Sequence, residues 1–404
     1  MREEPRPTMQ QLSLKRREDR RLRAGHLWIF SNEVDVARTP LTGFAPGEPA
    51  TVLDAGGRPL GTAYVNPASL ICARLISHAP DTPLDAALLR DRLTHALTLR
   101  ERLFDAPWYR LCHGEGDFLP GLVVDRYDDV LAVQLTTAGM DARRDDLLAV
   151  LDDLLHPSAV LLRNDIPARD LEGLPRLVET PLGTPPAVLS VPENGARFSV
   201  PFLEGQKTGW FYDQRANRAE AARYARGVDV LDAFCYAGGF GVAAAVAGAA
   251  SVTFMDASSD ALDCASANLA ANAPQCPGEA LHGDALTKLA ELRDTGRRFG
   301  LVCIDPPAFI KRRKDAARGL TAYRRANSLA LDLLTDDGVL VSCSCSHHLD
   351  AAVLRHIITQ AAARRRLHGQ VLYLGGQGPD HPIHTAMPET AYLKCVAARF
   401  RRPQ

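Results

Sequence analysis

Two short strings in this sequence combine residue types that can do covalent chemistry. Cys343-Ser344-Cys345-Ser346-His347-His348 follows the apolar run Val339 to Ser342, so two thiols two positions apart stand where a strand ends. On an ideal strand they share a face, although the strand can already have ended at Cys345. A thiolate there is a nucleophile, and a free thiol, titrating near ~8.5, is activated by nearby cations. Cysteine packed as a small hydrophobe is the alternative, and it suits Cys343 better than Cys345. The second string, Asp305-Pro306-Pro307-Ala308-Phe309, follows the apolar run Phe299 to Ile304 and joins a carboxylate, a rigid turn and an aromatic ring. His347 and His348 have a spacing that fits metal ligation poorly and read as loop residues.

The elements that must position these groups are strands ending in acids. Val228 to Leu231 delivers Asp232, Ser251 to Met255 delivers Asp256, a third apolar segment reaches Gly283-Asp284-Ala285, and Phe299 to Ile304 delivers Asp305. Open α/β sheets bind ligands outside the carboxyl ends of their strands. Between Asp232 and an alanine-rich helix over Val242 to Gly248 lies Ala233-Phe234-Cys235-Tyr236-Ala237-Gly238-Gly239-Phe240-Gly241, where Gly238 and Gly239 permit close backbone approach. The order lacks the Gly-x-Gly-x-x-Gly spacing and opens with an acid that would repel a pyrophosphate. A cationic nucleoside fits better, with Asp256 accepting from both ribose hydroxyls and Asp284 holding an exocyclic amine. From about Val228 to the C-terminus the pattern resembles the class I S-adenosylmethionine-dependent methyltransferases. That resemblance implies S-adenosyl-L-methionine as cofactor, held by Asp232, Phe234, Tyr236, Gly238, Gly239, Asp256, Ala257, Asp284, Ala285 and Asp305.

Just before the first core strand, Gly205-Gln206-Lys207-Thr208-Gly209-Trp210-Phe211-Tyr212-Asp213-Gln214-Arg215 clusters amide, cation, aromatics and acid, a mixture typical of ligand-touching loops. A simple Asp213–Arg215 pair at a helix start is the plainer account. The string resembles one in the ribosomal RNA large subunit methyltransferase I family, whose members act on cytosine C5 of 23S ribosomal RNA. By that resemblance Gln214 and Arg215 contact cofactor, Lys207 contacts RNA, and Cys345 within Ser344-Cys345-Ser346 is the nucleophile. Cytosine C5 is a poor nucleophile until a thiolate has added to C6. The loop after Pro307 has no second cysteine, so removal of the C5 proton is expected to fall to Asp305. An amine methyltransferase using Asp305-Pro306-Pro307 is the competing enzyme reading, weakened because Ala308 stands where an aromatic should follow the prolines. A non-catalytic RNA-binding assembly factor is the second class, and it would need neither the cofactor loop nor Cys345. Expected RNA contacts are Arg16, Arg17, Arg20 and Arg21 near the N-terminus, Phe309 as a stacking ring, and Lys311, Arg312, Arg313 and Lys314 as phosphate partners. For both cationic groups a solvated charged surface is the alternative.

The bounds agree with a large intracellular enzyme. The chain has 404 residues, 46% of them hydrophobic, enough for two or three cores. No apolar run approaches the roughly 18 residues of a membrane span and no signal region opens the chain, so a cytoplasmic address without membrane contact is expected. Nine cysteines without a CxxC pair argue against disulfides and structural zinc, so no metal is expected. A net charge of −1 means any nucleic-acid surface must be local. Residues 1–9 read as a disordered leader. Short strands punctuated by glycines follow to Leu75, and Gly25 to Phe30 with the Val52 to Gly61 hairpin resembles PUA-type RNA-binding domains. The expected fold is α/β: a Rossmann-like class I methyltransferase sheet with an N-terminal PUA-like β-barrel and a small α+β middle domain. Boundaries are expected at 1–79, 84–192 and 193–404, with Leu84 to Leu103 helical and the proline-rich Thr180 to Pro192 a passage. His113, Glu115 and Asp117 read as turn residues, and His381, in Asp380-His381-Pro382-Ile383, as a loop-orienting residue. Relatives in the resembled family leave a homodimer open.

Overall fold

The structure, a computed structural model, describes residues 9–203 and 208–403. Within these the chain forms two compact units, one of residues 9–186, 208–209 and 379–390, the other of residues 187–203, 210–378 and 391–403.

The first unit opens with β1 (Gln10–Ser13), the one-turn helix α1 (Arg20–Arg23), β2 (Trp28–Ile29), β3 (Glu48–Leu53), β4 (Pro59–Val65) and β5 (Ala73–Ser77). These strands form one sheet in the order β1-β3-β4-β5-β2, over a core of Leu12, Leu14, Ile29, Val34, Val52 and Val65. The hairpin expected around residues 52–61 is the β3–β4 pair, with Val52 opposite Gly61. Helix α2 (Ala86–Leu103) starts at Asp85, whose carboxylate accepts the Leu88 N–H. Then come β6 (Trp108–His113), β7 (Leu122–Tyr127), β8 (Val130–Leu135), the short α3 (Ala138–Asp141), α4 (Arg144–Leu155), β9 (Ala159–Arg163) and β10 (Val178–Gly183). Their sheet runs β10-β9-β8-β7-β6, and Leu89, Leu93, Leu147 and Leu151 from α2 and α4 fill its core.

The polar turn after β6 is fixed by charge. Arg100 is fully buried and forks onto both oxygens of Asp117 at 2.5 and 2.7 Å, while also donating to the Arg110 and Asp380 carbonyls. Asp117 in turn accepts the His113 N–H, and Glu115 accepts from Trp28 Nε1. Asp380 accepts the Arg110 N–H and lies 2.9 Å from His381 Nδ1. These residues therefore build structure, in line with their reading as turn and loop-orienting groups.

The second unit opens with the hairpin β11 (Val188–Glu193) and β12 (Ala196–Pro201). The region expected to be a passage thus contains strands: β10 is an edge strand and β11 belongs to a two-stranded sheet, positions where proline costs no central ladder bond. The main body follows as α5 (Arg215–Ala222), β13 (Asp229–Ala233), α6 (Gly239–Val246), β14 (Ser251–Asp256), α7 (Ser259–Asn272), β15 (Gly278–His282), α8 (Ala285–Asp294), β16 (Phe299–Ile304), α9 (Ala316–Asp332), β17 (Leu334–Ser344), α10 (Ala351–Arg364), β18 (His368–Gly375) and β19 (Lys394–Arg401). The sheet order is β15-β14-β13-β16-β17-β19-β18, with β19 antiparallel to both neighbours and the other pairings parallel. The order reverses direction between β13 and β16. That switch point is where an open α/β sheet leaves a crevice at its strand ends, and Asp232 and Asp305 lie there. Leu231, Val302, Leu340, Ala326, Leu329 and Ile357 belong to the core beneath.

Candidate active site

The turn from β13 to α6 is built from left-handed backbone. Phe234 has φ 63°, Tyr236 φ 48° and Gly238 φ 80°, so two bulky residues share a conformation normally left to glycine. What holds them is the neighbouring strand: the Phe234 and Cys235 N–H groups donate to the Met255 carbonyl, and the Tyr236 N–H donates to Asp256 Oδ2. Asp256 Oδ1 accepts the Ser258 N–H. The glycines also serve packing, because a Cβ on Gly238 would lie 3.0 Å from the Phe254 ring and one on Gly241 only 2.4 Å from it.

Asp232 is 1% exposed. Its Oδ2 accepts the Gly241 N–H at 2.7 Å, whereas Oδ1 is buried with no hydrogen-bond partner among the described residues. Burial pushes its carboxyl up to about 7; the Gly241 bond opposes this, and Asp305 and Asp256 add to it. An unpartnered buried oxygen with further acids nearby fits a positively charged ligand. Asp284 is exposed and caps α8, its Oδ1 accepting from the Thr287 N–H and hydroxyl. The Ala257 carbonyl lies 3.0 Å from His282 Nε2, and Ala285 is buried in the first turn of α8.

The thiol end of β17 is more tightly specified than its sequence suggests. Cys343 is 1% exposed and pairs across the sheet with Cys395; that contact and burial raise its thiol well above the ordinary range, so it packs as a small hydrophobe. β17 ends at Ser344, placing Cys345 just past the strand, partly exposed between two fully buried serines. Ser344 Oγ donates to the Tyr323 hydroxyl at 2.8 Å and accepts the Ser346 N–H, while Ser346 Oγ accepts the Ile310 N–H and lies 2.8 Å from Tyr323 Oη. Lys394, opposite Ser344 on β19, is 7% exposed and donates to the Ser346 and Tyr392 carbonyls at 2.7 and 2.9 Å. Burial lowers its ammonium, against the pull of Asp350 and of the Cys345 thiolate. Composition alone gives no hint of Tyr323, but Lys394 had a signal: a lone cation entering the otherwise apolar run Cys395 to Ala398.

Asp305 is partly buried, and its N–H donates to the Ala233 carbonyl, tying the β16 loop to β13. Phe309 is packed against Tyr323 and Phe234, with ring centroids 4.9 and 6.3 Å apart, so its ring already belongs to the loop's own core. Lys311, Arg312, Arg313 and Lys314 are all exposed, Arg312 pairing with Asp315. Gln214 is buried, its Oε1 accepting from Asn217. Arg215 stacks over Tyr212 and stands 3.6 Å from Glu193. Glu193, missed in the sequence, is a hub: it takes Arg218 at 2.6 Å and Trp210 Nε1 at 2.8 Å, all three buried. Lys207 lies outside the described residues, as does most of the leader. In the first unit Arg16, Arg17 and Arg20 are exposed, whereas Arg21 pairs with Glu33 and lies over Phe30. Among the described residues there is no group of three or more His, Cys, Asp or Glu able to hold a metal ion, and no helix long and apolar enough to cross a membrane.

Known proteins share both fold and sequence with this chain. A family model described as S-adenosylmethionine-dependent methyltransferase matches residues 175–372, and one described as PUA-like domain matches residues 12–78. A solved structure of a putative methyltransferase complexed with SAH superposes with TM-score 0.83 at 20% identity, covering 97% of this chain and all of that one. The fold and cofactor are thus those of an S-adenosyl-L-methionine-dependent methyltransferase. "Ribosomal RNA large subunit methyltransferase I" of Shewanella amazonensis is 36% identical over 394 residues, covering 96% of this chain and 98% of that protein. Its namesake in Tolumonas auensis is 34% identical over 380 residues, covering 93% and 95%. The chain belongs to the ribosomal RNA large subunit methyltransferase I family.

Proposed function

We propose that this protein methylates C5 of a cytosine in 23S ribosomal RNA, in the cytoplasm, through a transient covalent bond from Cys345. The observation that carries the reading is the placement of Cys345: a partly exposed thiol one residue past β17, bracketed by serines locked to Tyr323, two strands from Asp232 on the same sheet. The relatives' name supplies the ribosomal RNA; the thiol supplies the pyrimidine carbon.

S-adenosyl-L-methionine, when bound, supplies an electrophilic methyl group on a sulfonium. Asp232 and Asp256, with Phe234, Tyr236, Gly238, Gly239, Ala257, Asp284 and Ala285 around them, would hold it, and Oδ1 of Asp232 has open capacity for its positive charge. Gln214 and Arg215 would close the same cleft. A cytosine turned out of its stack is required for access. The Cys345 thiolate adds to C6, and the C5–C6 π pair becomes nucleophilic density at C5. After C5 has gained its methyl group, Asp305, directly or through water, takes the C5 proton, and the electrons of that C–H bond reform C5=C6 as the thiolate departs. Lys394 and the Tyr323–serine network keep Cys345 in place throughout.

The test uses RNA containing 5-fluorocytosine, whose C5 fluorine cannot leave as a proton. The wild type should form a protein–RNA adduct that survives denaturation, and Cys345→Ala should form none. An adduct that persists in Cys345→Ala removes this residue from the role. Methylation of a base amine, with no adduct in the wild type, would replace the carbon reading altogether. Mass spectrometry of digested ribosomal RNA from cells with and without the gene identifies the base.

A further inference from the structure

The parallel helices α9 and α10 of the second unit enclose a groove of about 240 Å³ lined by Thr321, Arg324, Arg325, Ser328, Gln360 and Arg364 above a floor of Ile357 and Ala361. No carboxylate lines it. Arg324, Arg325 and Arg364 are exposed, and none of the three makes an ion pair among the described residues. Other arginines of this chain of net charge −1 are held by acids, as Arg100 is by Asp117 and Arg218 by Glu193. The acid closest in sequence on these helices, Asp332, is already held by Nε and Nη2 of Arg365, and Asp315 at the start of α9 is engaged by Arg312. Three guanidiniums around one groove repel each other unless an anion lies between them. The three guanidiniums are donors only, and the Gln360 amide and the Ser328 hydroxyl, whose oxygen accepts from Arg365, each have a hydrogen to add, a set that suits phosphate oxygens.

The helix phase extends the feature. Arg318, Thr321, Arg325 and Ser328 recur at three- and four-residue steps, so they follow one side of α9, while Gly319, Tyr323, Ala326 and Ala330 face the core. From Arg318 to Ser328 this side runs about 15 Å. Its upper end begins just after the exposed cations Lys311 to Lys314, which follow the Asp305 loop at the strand ends.

We propose that the α9–α10 groove is a docking track for the phosphodiester backbone of an RNA strand whose target base lies in the cleft beside Asp305. The proposal rests on RNA being the substrate. Its contribution is register: the backbone held along the groove sets which nucleotide reaches the cleft, independently of any contact to the base itself.

The experiment measures binding of in vitro transcribed 23S ribosomal RNA to the full chain at a series of KCl concentrations. The variants are Arg324→Ala/Arg325→Ala/Arg364→Ala and the matching triple lysine substitution. All three sites are exposed on helices, where alanine is tolerated, and an unchanged affinity for S-adenosylmethionine checks that the fold survives. Each lost phosphate contact should flatten the slope of log affinity against log salt by about 0.7–0.9, so the triple alanine variant should lose about 2 units of slope and bind at least about tenfold more weakly at 0.1 M KCl. The lysine variant should retain most of both. An unchanged slope and affinity in the alanine variant would overturn the track. If the substrate reading alone is wrong, the wild type itself shows no Cys345-dependent adduct, whatever the slopes do.

Discussion

Asp232→Asn should stabilise the cofactor-free protein at neutral pH while impairing cofactor binding. Asp232 is buried, and its carboxyl is raised from 3.8 to about 7. Below pH ~4 the group is protonated in both folded and unfolded chains, and the folded state carries no penalty. Between pH ~4 and ~7 the unfolded chain releases the proton and the folded one keeps it, so stability falls by about 1.4 kcal/mol per pH unit. Above ~7 both are ionised and the loss levels off at about 4 kcal/mol, from a shift of about 3 units. Asparagine mimics the protonated acid, and its carbonyl oxygen can still accept the Gly241 N–H. The variant should therefore match wild type near pH 4 and exceed it progressively toward pH 8. Urea unfolding of both proteins at pH 5, 6, 7 and 8, without cofactor, reads the difference directly. Parallel curves at all four values would refute the argument, because they would mean that Asp232 ionises in the fold as easily as in water. Adding S-adenosylmethionine should reverse the order at pH 8, since only the wild type gains from pairing an ionised carboxylate with the cofactor's charge.

Other perturbations follow from the same contacts. Tyr323→Phe removes the hydroxyl shared by Ser344 and Ser346 and should cost about 1–3 kcal/mol in thermal or urea unfolding, with turnover falling while cofactor affinity holds. Glu193→Ala leaves Arg218 buried without its carboxylate and should destabilise by about 3–5 kcal/mol, measured by urea unfolding at pH 7. Cys343→Ala should keep adduct formation with 5-fluorocytosine RNA, in contrast to Cys345→Ala, and loss of the adduct in both would mean that the thiol end is simply misfolded. Lys394→Met removes the donor to the Ser346 carbonyl and a positive charge acting on Cys345, so the rising limb of the pH–rate profile should move to higher pH, and an unmoved limb would refute that link.

Much of the second unit is legible in its sequence because its central strands are buried on both faces. β13, β14, β16 and β17 appear as short apolar runs, and their ends are marked by an acid or a thiol that an apolar strand would not otherwise carry. Local rules failed where tertiary context overrides them. Proline in residues 180–192 suggests an irregular passage, yet edge strands tolerate it. Asp284 also caps α8, its Oδ1 accepting from the Thr287 N–H and hydroxyl, a role that the Asp-x-x-Thr spacing already carried in the sequence. The left-handed turns at Phe234 and Tyr236 carry no mark in residue type, because their cause is the Met255 carbonyl and the Asp256 carboxylate on another strand. The contacts of the partly buried Phe309 ring with Tyr323 and Phe234 join positions distant in sequence and become visible only in the fold. Glu193 and Arg218 are separated in sequence by 25 positions, so their pairing is invisible until the chain folds.

Residues 379–390 are a short excursion: the chain leaves the methyltransferase sheet after β18, joins the first unit, and returns in time to form β19. A gene fragment cut at the boundary before β11 would carry this loop away from Arg100 and Arg110, whose hydrogen bonds grip Asp380. Such a fragment would expose an acid and an imidazole that native chains keep dry, and its final strand would be tethered by an unanchored lasso. Anyone wishing to study the catalytic half in isolation should replace the excursion with a short flexible bridge.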